Sequence, residues 1–100
     1  MFIKICVCAV LTLFMAAPQV VRAGYDEGYQ AANKGAYTTA FKEFKTAAEK
    51  GDARAQYSLA VMYNDGIGIK KNPDEAMIWF RKAASNGHPL AKEIIKRKSK

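Results

Sequence analysis

Two stretches of this chain read alike at a fixed separation. Ala47-Ala48-Glu49-Lys50-Gly51 is echoed by Ala83-Ala84-Ser85-Asn86-Gly87, and Ala55 by Ala91, each 36 positions later. The same separation joins Ala40 to Ala76 and Phe44 to Phe80. Tyr29 and Tyr63 stand 34 apart, which predicts one connecting loop longer by two residues. A period of this length belongs to helix–turn–helix units that stack into solenoids. One such unit cannot bury its apolar stripe alone; stacked neighbours can. No stretch alternates apolar and polar residues long enough to make a strand. The expectation is an all-α fold, a short α/α solenoid of five helices.

The helix boundaries follow from local chemistry. Asp26 to Lys34 reads as a short helix stopped by Gly35. Tyr37 to Lys50 carries Ala40, Phe41, Phe44, Ala47 and Ala48 on one face. Asp52 caps the next helix, whose stripe is Ala55, Leu59, Met62 and Tyr63, and which Gly66 and Gly68 end. Asn72-Pro73-Asp74-Glu75 restarts the chain: Asn72 at the N-cap, Pro73 at the first helical position, Glu75 at the capping-box position. Ala76, Trp79, Phe80, Ala83 and Ala84 form the stripe that follows. Gly87 stops that helix, and Pro89 opens a last one that runs into a basic end. The alanines let helix axes approach to roughly 8–10 Å, while the phenylalanines, Tyr63 and Trp79 fill the wider gaps.

The first 23 residues have a different character. A start with one charge, Lys4, precedes the apolar run Ile5 to Ala17, Pro18 breaks it, and Val21-Arg22-Ala23 offers a small-residue cleavage site before Gly24. That is the layout of a secretory signal peptide. The thirteen-residue run, apolar but for Thr12, reaches about 20 Å as a helix, short of a hydrocarbon core of about 30 Å. Residues 1–23 are therefore read as the signal and 24–100 as the domain, with a degenerate unit at 25–50, a full repeat at 51–87 and a partial capping unit at 88–100. Cys6 and Cys8, the two cysteines of the chain, leave with the signal. The expected location is the periplasm or the exterior, and the domain holds together there without a disulfide. Without Lys4 and Arg22 the charge is 14 − 9 = +5. Much of the excess is Lys92, Lys96, Arg97, Lys98 and Lys100, a basic end read first as a solvated terminus.

The segment Gly51 to Gly87 resembles a Sel-one-like repeat, the longer-looped relative of the tetratricopeptide repeat. The residues that carry the resemblance are Gly51, Asp52, Ala55, Gln56, Leu59, Ala60, Met62, Tyr63, Gly66, Gly68, Ile69, Asp74, Ala76, Trp79, Phe80, Lys82, Ala83, Ala84 and Gly87. Ala60 stands where the family usually has glycine. The resemblance implies an α/α solenoid and, in bacteria, a protein-binding adaptor or regulator, often exported. One exported branch associated with β-lactam hydrolysis carries a cysteine pair in each repeat, which this chain lacks.

Residues for catalysis are sparse. The domain has no cysteine and one histidine, His88, beside a helix-starting proline, where a capping or turn role is expected. No pair of histidines or thiolates stands at ligand spacing, Asp65-Gly66-Ile67-Gly68 lacks the acidic ligands of a calcium loop, and Gly66 and Gly68 lack the third glycine of a dinucleotide fingerprint. Neither an enzyme nor a cofactor is expected, nor a small-molecule substrate. Most aromatics lie on core stripes, so a nucleic-acid platform is not expected either.

The reading is a non-catalytic, exported protein-interaction module with an unidentified protein partner. The first helix of each pair lines the concave face of a solenoid. Arg54, Tyr57, Val61 and Asn64 are the candidate groove residues of the middle unit, Glu93 and Arg97 those of the last helix. A periplasmic inhibitor or immunity protein is the sharper version. A binder of the anionic cell-envelope surface through the basic C-terminal helix is the alternative.

Overall fold

The computed structural model describes residues 24–99; the signal segment read at 1–23 lies outside them. Five helices follow one another: α1 (Tyr25–Asn33), α2 (Tyr37–Glu49), α3 (Ala53–Asp65), α4 (Pro73–Ser85) and α5 (Pro89–Lys98), with no strand among the described residues. Each helix packs on the next, the order that short antiparallel connections impose.

The caps explain where the helices start and stop. The Asp52 carboxylate accepts from the backbone N–H groups of Arg54 and Ala55. Asn72 Oδ1 accepts from Glu75 N–H at 3.2 Å. The reciprocal half of that capping box is replaced: the Asn72 N–H donates to the Tyr63 carbonyl at 2.7 Å and draws the loop back onto α3. Helix α1 ends in a six-residue return, Ala36 N–H to Ala31 O, with Gly35 at φ +80°. Asp52 to Ala47 and His88 to Ala83 repeat that bond at the ends of α2 and α4.

Among the described residues thirteen apolar ones are buried and eight of these are alanines, which is how the helix backbones come close enough for so short a domain to have a core. Phe44, Leu59, Met62, Trp79 and Phe80 supply the volume. Gly28 lets α1 approach α2: a Cβ there would lie 2.8 Å from the Phe44 ring. Phe41 and Tyr63, expected on core stripes, are half-buried and meet edge to face at 5.4 Å.

The helix boundaries correct the alignment of the first unit. α1 ends at Asn33 and α3 at Asp65, 32 positions apart, while α2 starts at Tyr37 and α4 at Pro73, 36 apart. The second loop is thus longer by four residues, not two, and Tyr63 is not the counterpart of Tyr29. Applying the 32-residue shift makes Tyr25 the counterpart of Tyr57, Gly28 of Ala60 and Tyr29 of Val61.

On the far side, α5 presents exposed Lys92 and Lys96 where α3 buries Gln56 and Ala60. A helix packing there as α4 packs on α3 would bury two ammonium groups. Lys96, Arg97 and Lys98 also occupy the last turn of α5, where they complement the negative end of its dipole.

Candidate functional site

The alternate helices α1, α3 and α5 are linked by side chains outside the alanine core. Arg54, at the start of α3, lies over the Tyr25 ring of α1 with its guanidinium carbon 4.2 Å from the centroid. Tyr25 in turn stacks on Tyr29 at 6.3 Å and leans on Phe44 at 5.6 Å. The Arg54 guanidinium is held by Asp52, with Nη2 3.3 Å from Oδ2. That hydrogen bond, and then the Asp52 charge, push its pKa further up. Arg54 keeps 62% of its side chain exposed, so a capped, oriented cation faces solvent beside two tyrosines.

Toward α5, the Tyr57 ring stacks on the His88 imidazole at 4.3 Å and 8°, and meets Phe80 edge-on at 5.8 Å. Tyr57 was expected on an open face; instead it is half-buried and ties α3 to the start of α5 and to the core. His88 is the N-cap of α5, its Nδ1 accepting from Ala91 N–H at 3.3 Å. It stands 36 positions after Asp52 and performs the same capping task. Burial lowers its pKa from 6.5.

The remaining candidates separate. Val61 is half-buried and packs against the core, which its apolar side chain favours over solvent. Asn64 is half-buried and donates to Asp65 Oδ1 at 3.0 Å. Glu93 and Arg97 are exposed and paired one turn apart on α5, 3.9 Å between charged atoms. The structure adds two exposed residues on these helices, Tyr29 at 55% and Leu90 at 56%, and the half-buried Tyr25 between Tyr29 and Arg54. Leu90 is the counterpart of Arg54. Tyr25 and Tyr29 become legible only once the first loop is aligned by its true length.

A second polar centre lies beneath the repeat junction. Gln56 is buried, 4% exposed, and its Nε2 donates to the Ala48 carbonyl at 3.1 Å while its Oε1 accepts from Asn86 Nδ2 at 2.8 Å. The bonds join the last turn of α2, the first turn of α3 and the C-cap of α4. An adjacent open cleft of about 570 Å³ is lined by Glu49, Gln56, Trp79, Arg81, Lys82 and Asn86 among others. Lys82 Nζ lies 4.3 Å from the Trp79 ring centroid, and the Trp79 indole N–H is buried without a hydrogen-bond partner. Among the described residues no group of three His, Cys, Asp or Glu side chains is placed to hold a metal ion.

Known proteins resemble this chain in one consistent way. The Sel1 repeat family model matches residues 53–88. "Chitin synthase regulatory factor 3" of Schizosaccharomyces pombe is 43% identical over 49 residues, 49% of this chain and 5% of its own length. "ERAD-associated E3 ubiquitin-protein ligase component HRD3A" of Arabidopsis thaliana is 30% identical over 78% of this chain and 12% of its own length. The chain thus spans a small fraction of these relatives. A crystal structure of a Sel1 repeat protein from Oxalobacter formigenes superposes with a TM-score of 0.58 at 38% identity, over 61% of this chain and 18% of the other. The helix order, the capped long loop after α3 and the alanine-lined contacts of α3 with α4 agree with that match: residues 53–88 of this chain are a Sel1 repeat.

Proposed function

We propose that this chain is an exported, non-catalytic protein-binding module that uses the face shared by α1, α3 and α5. The observation that carries the reading is the run of Tyr29, Tyr25 and Arg54, an oriented cation on stacked aromatic rings that reaches solvent. Tyr and Arg, with Trp, are the residues enriched at protein–protein hot spots. Leu90 and the Glu93–Arg97 pair extend the same face on α5. The relatives' names support a role through partners: one is a regulatory factor, one a ligase component, and a third, from Rattus norvegicus, is "DAP3-binding cell death enhancer 1", 34% identical over 57 residues and matched over 11% of its length. Export rests on the layout of residues 1–23.

The test has two arms. The N-terminus of the chain recovered from its own cells is sequenced; a start at Gly24 supports export, and a retained Met1 in the cytosol ends that part of the reading. The tagged chain and its Tyr29→Ala/Arg54→Ala variant are then compared in capture of partners from the same cells. Loss of a specific partner in a variant that melts normally supports the face. Capture unchanged by both substitutions moves the working surface elsewhere.

A further inference from the structure

The long loop that sets the second unit apart from the first builds a cleft of its own. Residues 66–72 do not hang free. Gly68 sits so close to the start of α2 that a Cβ would lie 2.7 Å from the Tyr37 carbonyl oxygen. Gly66 is folded against Lys71, and Asn72 is tied to the Tyr63 carbonyl. This held loop carries exposed Lys70 and Lys71 up to α2, where Lys45 faces them. The three lysines rim an open cleft of about 510 Å³ whose floor is the edge-to-face pair Phe41 and Tyr63, with Ile69 at its side. Lys45 Nζ stands 6.0 Å from the Phe41 ring centroid.

The charge balance of the cleft is one-sided. No carboxylate lines it, and the ion pairs among the described residues are Asp52–Arg54 and Glu93–Arg97, so none of the three lysines is neutralised. Burial raises the Tyr63 pKa, with smaller contributions from the Glu75 and then the Glu49 charge, but neither glutamate lines the cleft. The three-residue turn between α1 and α2 has no comparable segment, so the first unit builds no equivalent.

We infer that this cleft docks an acidic segment of a partner protein, one with an apolar side chain set among carboxylates. The ammonium rim takes the carboxylates and the Phe41–Tyr63 floor takes the apolar side chain. A peptide fits the recess better than the other anions. A lipid headgroup layer is flat and cannot bring an apolar side chain onto the floor. A nucleic-acid backbone calls for a longer basic track with aromatics open for base stacking, and here Phe41 and Tyr63 are half-buried against each other. Loop anchoring means little ordering entropy is lost on binding.

The proposal rests on the reading of the chain as a protein binder, but it uses a different surface and fails separately. The probe is a fluorescein-labelled peptide of four glutamates around a central leucine, followed by anisotropy against the purified chain at low salt. The comparison is its lysine counterpart. Lys70→Glu/Lys71→Glu should weaken binding of the acidic peptide by about tenfold or more, and added salt should weaken the wild type. Lys92→Glu/Lys96→Glu, with the same change in net charge on α5, should alter it by less than about twofold. Lys45→Gln is a second, milder variant with an intermediate loss expected. All four lysines altered in the two pairs are exposed, and a shared melting transition confirms folding. Equal weakening by the two double variants overturns the proposal, because net charge alone then explains binding. So does an acidic peptide that fails to bind the wild type, or phosphatidylglycerol vesicles or a single-stranded oligonucleotide that bind with the same dependence on Lys70 and Lys71. Loss of partner capture in Tyr29→Ala/Arg54→Ala with peptide binding intact would separate the two surfaces.

Discussion

Gln56 and Asn86, 30 residues apart in the chain, are joined by a 2.8 Å hydrogen bond between their side-chain amides. This bond closes one repeat, from the start of α3 to the end of α4, and the other end of Gln56 crosses to the preceding unit. Gln56 donates with its other end to the Ala48 carbonyl, a last-turn carbonyl of α2 that also accepts from the Gly51 N–H at 3.0 Å. A single buried amide therefore clamps three helix ends at the level where the units stack.

Gln56→Leu keeps the volume and removes both bonds. The Asn86 amide loses its partner and the Ala48 carbonyl keeps only the Gly51 N–H, and the expected cost is about 1–3 kcal/mol in urea unfolding. A variant as stable as the wild type would mean that water replaces the amide fully.

Trp79 is buried among small residues, yet its indole N–H lacks a partner. Trp79→Ala should cost about 3–5 kcal/mol. Trp79→Phe should cost much less, because it sheds the unpaired donor while keeping most of the ring. Thermal melts of both variants check this. A phenylalanine variant as damaged as the alanine one would show that the N–H is satisfied in solution.

Tyr57 on α3 is half-buried, whereas Tyr29 on α1 is exposed. Tyr57→Ala removes the His88 stack and the Phe80 edge contact and should destabilise by about 1–3 kcal/mol. Tyr29→Ala should stay within about 0.5 kcal/mol, since that ring is mostly exposed. Equal melting of the two variants would contradict the burial difference.

His88 couples α5 to pH. Burial lowers its pKa in the folded chain from 6.5, so the folded state favours the neutral ring that can accept from Ala91 N–H. Its contribution is complete above pH 6.5 and is lost as pH falls from there through the lower folded-state value. A protonated ring also places positive charge at a helix N-terminus. His88→Asp, which copies the Asp52 cap, should remove this slope and hold α5 better near neutral pH. Amide exchange in α5 for the two proteins across that range is the measurement. Identical pH profiles would exclude His88 as the source.

Gly68 and Gly87 both have positive φ, +73° and +94°, but only Gly68 faces backbone. Gly87→Ala should cost about 1–2 kcal/mol from backbone conformation alone. Gly68→Ala adds a clash with Tyr37 and should cost clearly more in the same denaturation assay. Matching losses would show that the loop yields freely.

The helix count, the two stripes at Ala40–Ala48 and Ala76–Ala84, and the caps at Asp52 and Asn72 were legible in the sequence. They depend on short-range geometry: 3.6-residue periodicity, glycine at left-handed stops, side-chain oxygens at helix starts. The repeat family was legible for the same reason, since its pattern is a string of such local requirements. Tertiary structure decided what depends on distance in space. It assigned the four-residue difference in loop length, and with it Tyr25 and Tyr29 to the shared face, because matching Tyr29 to Tyr63 by type alone ignores where each helix ends. It turned Tyr57 inward onto His88, a contact no spacing announces, because the two rings meet only when α5 docks at the start of the next unit. It also gathered Lys45, Lys70 and Lys71 around one cleft, since a loop held down by Gly68 and Asn72 brings together lysines that are 25 and 26 positions apart in the chain.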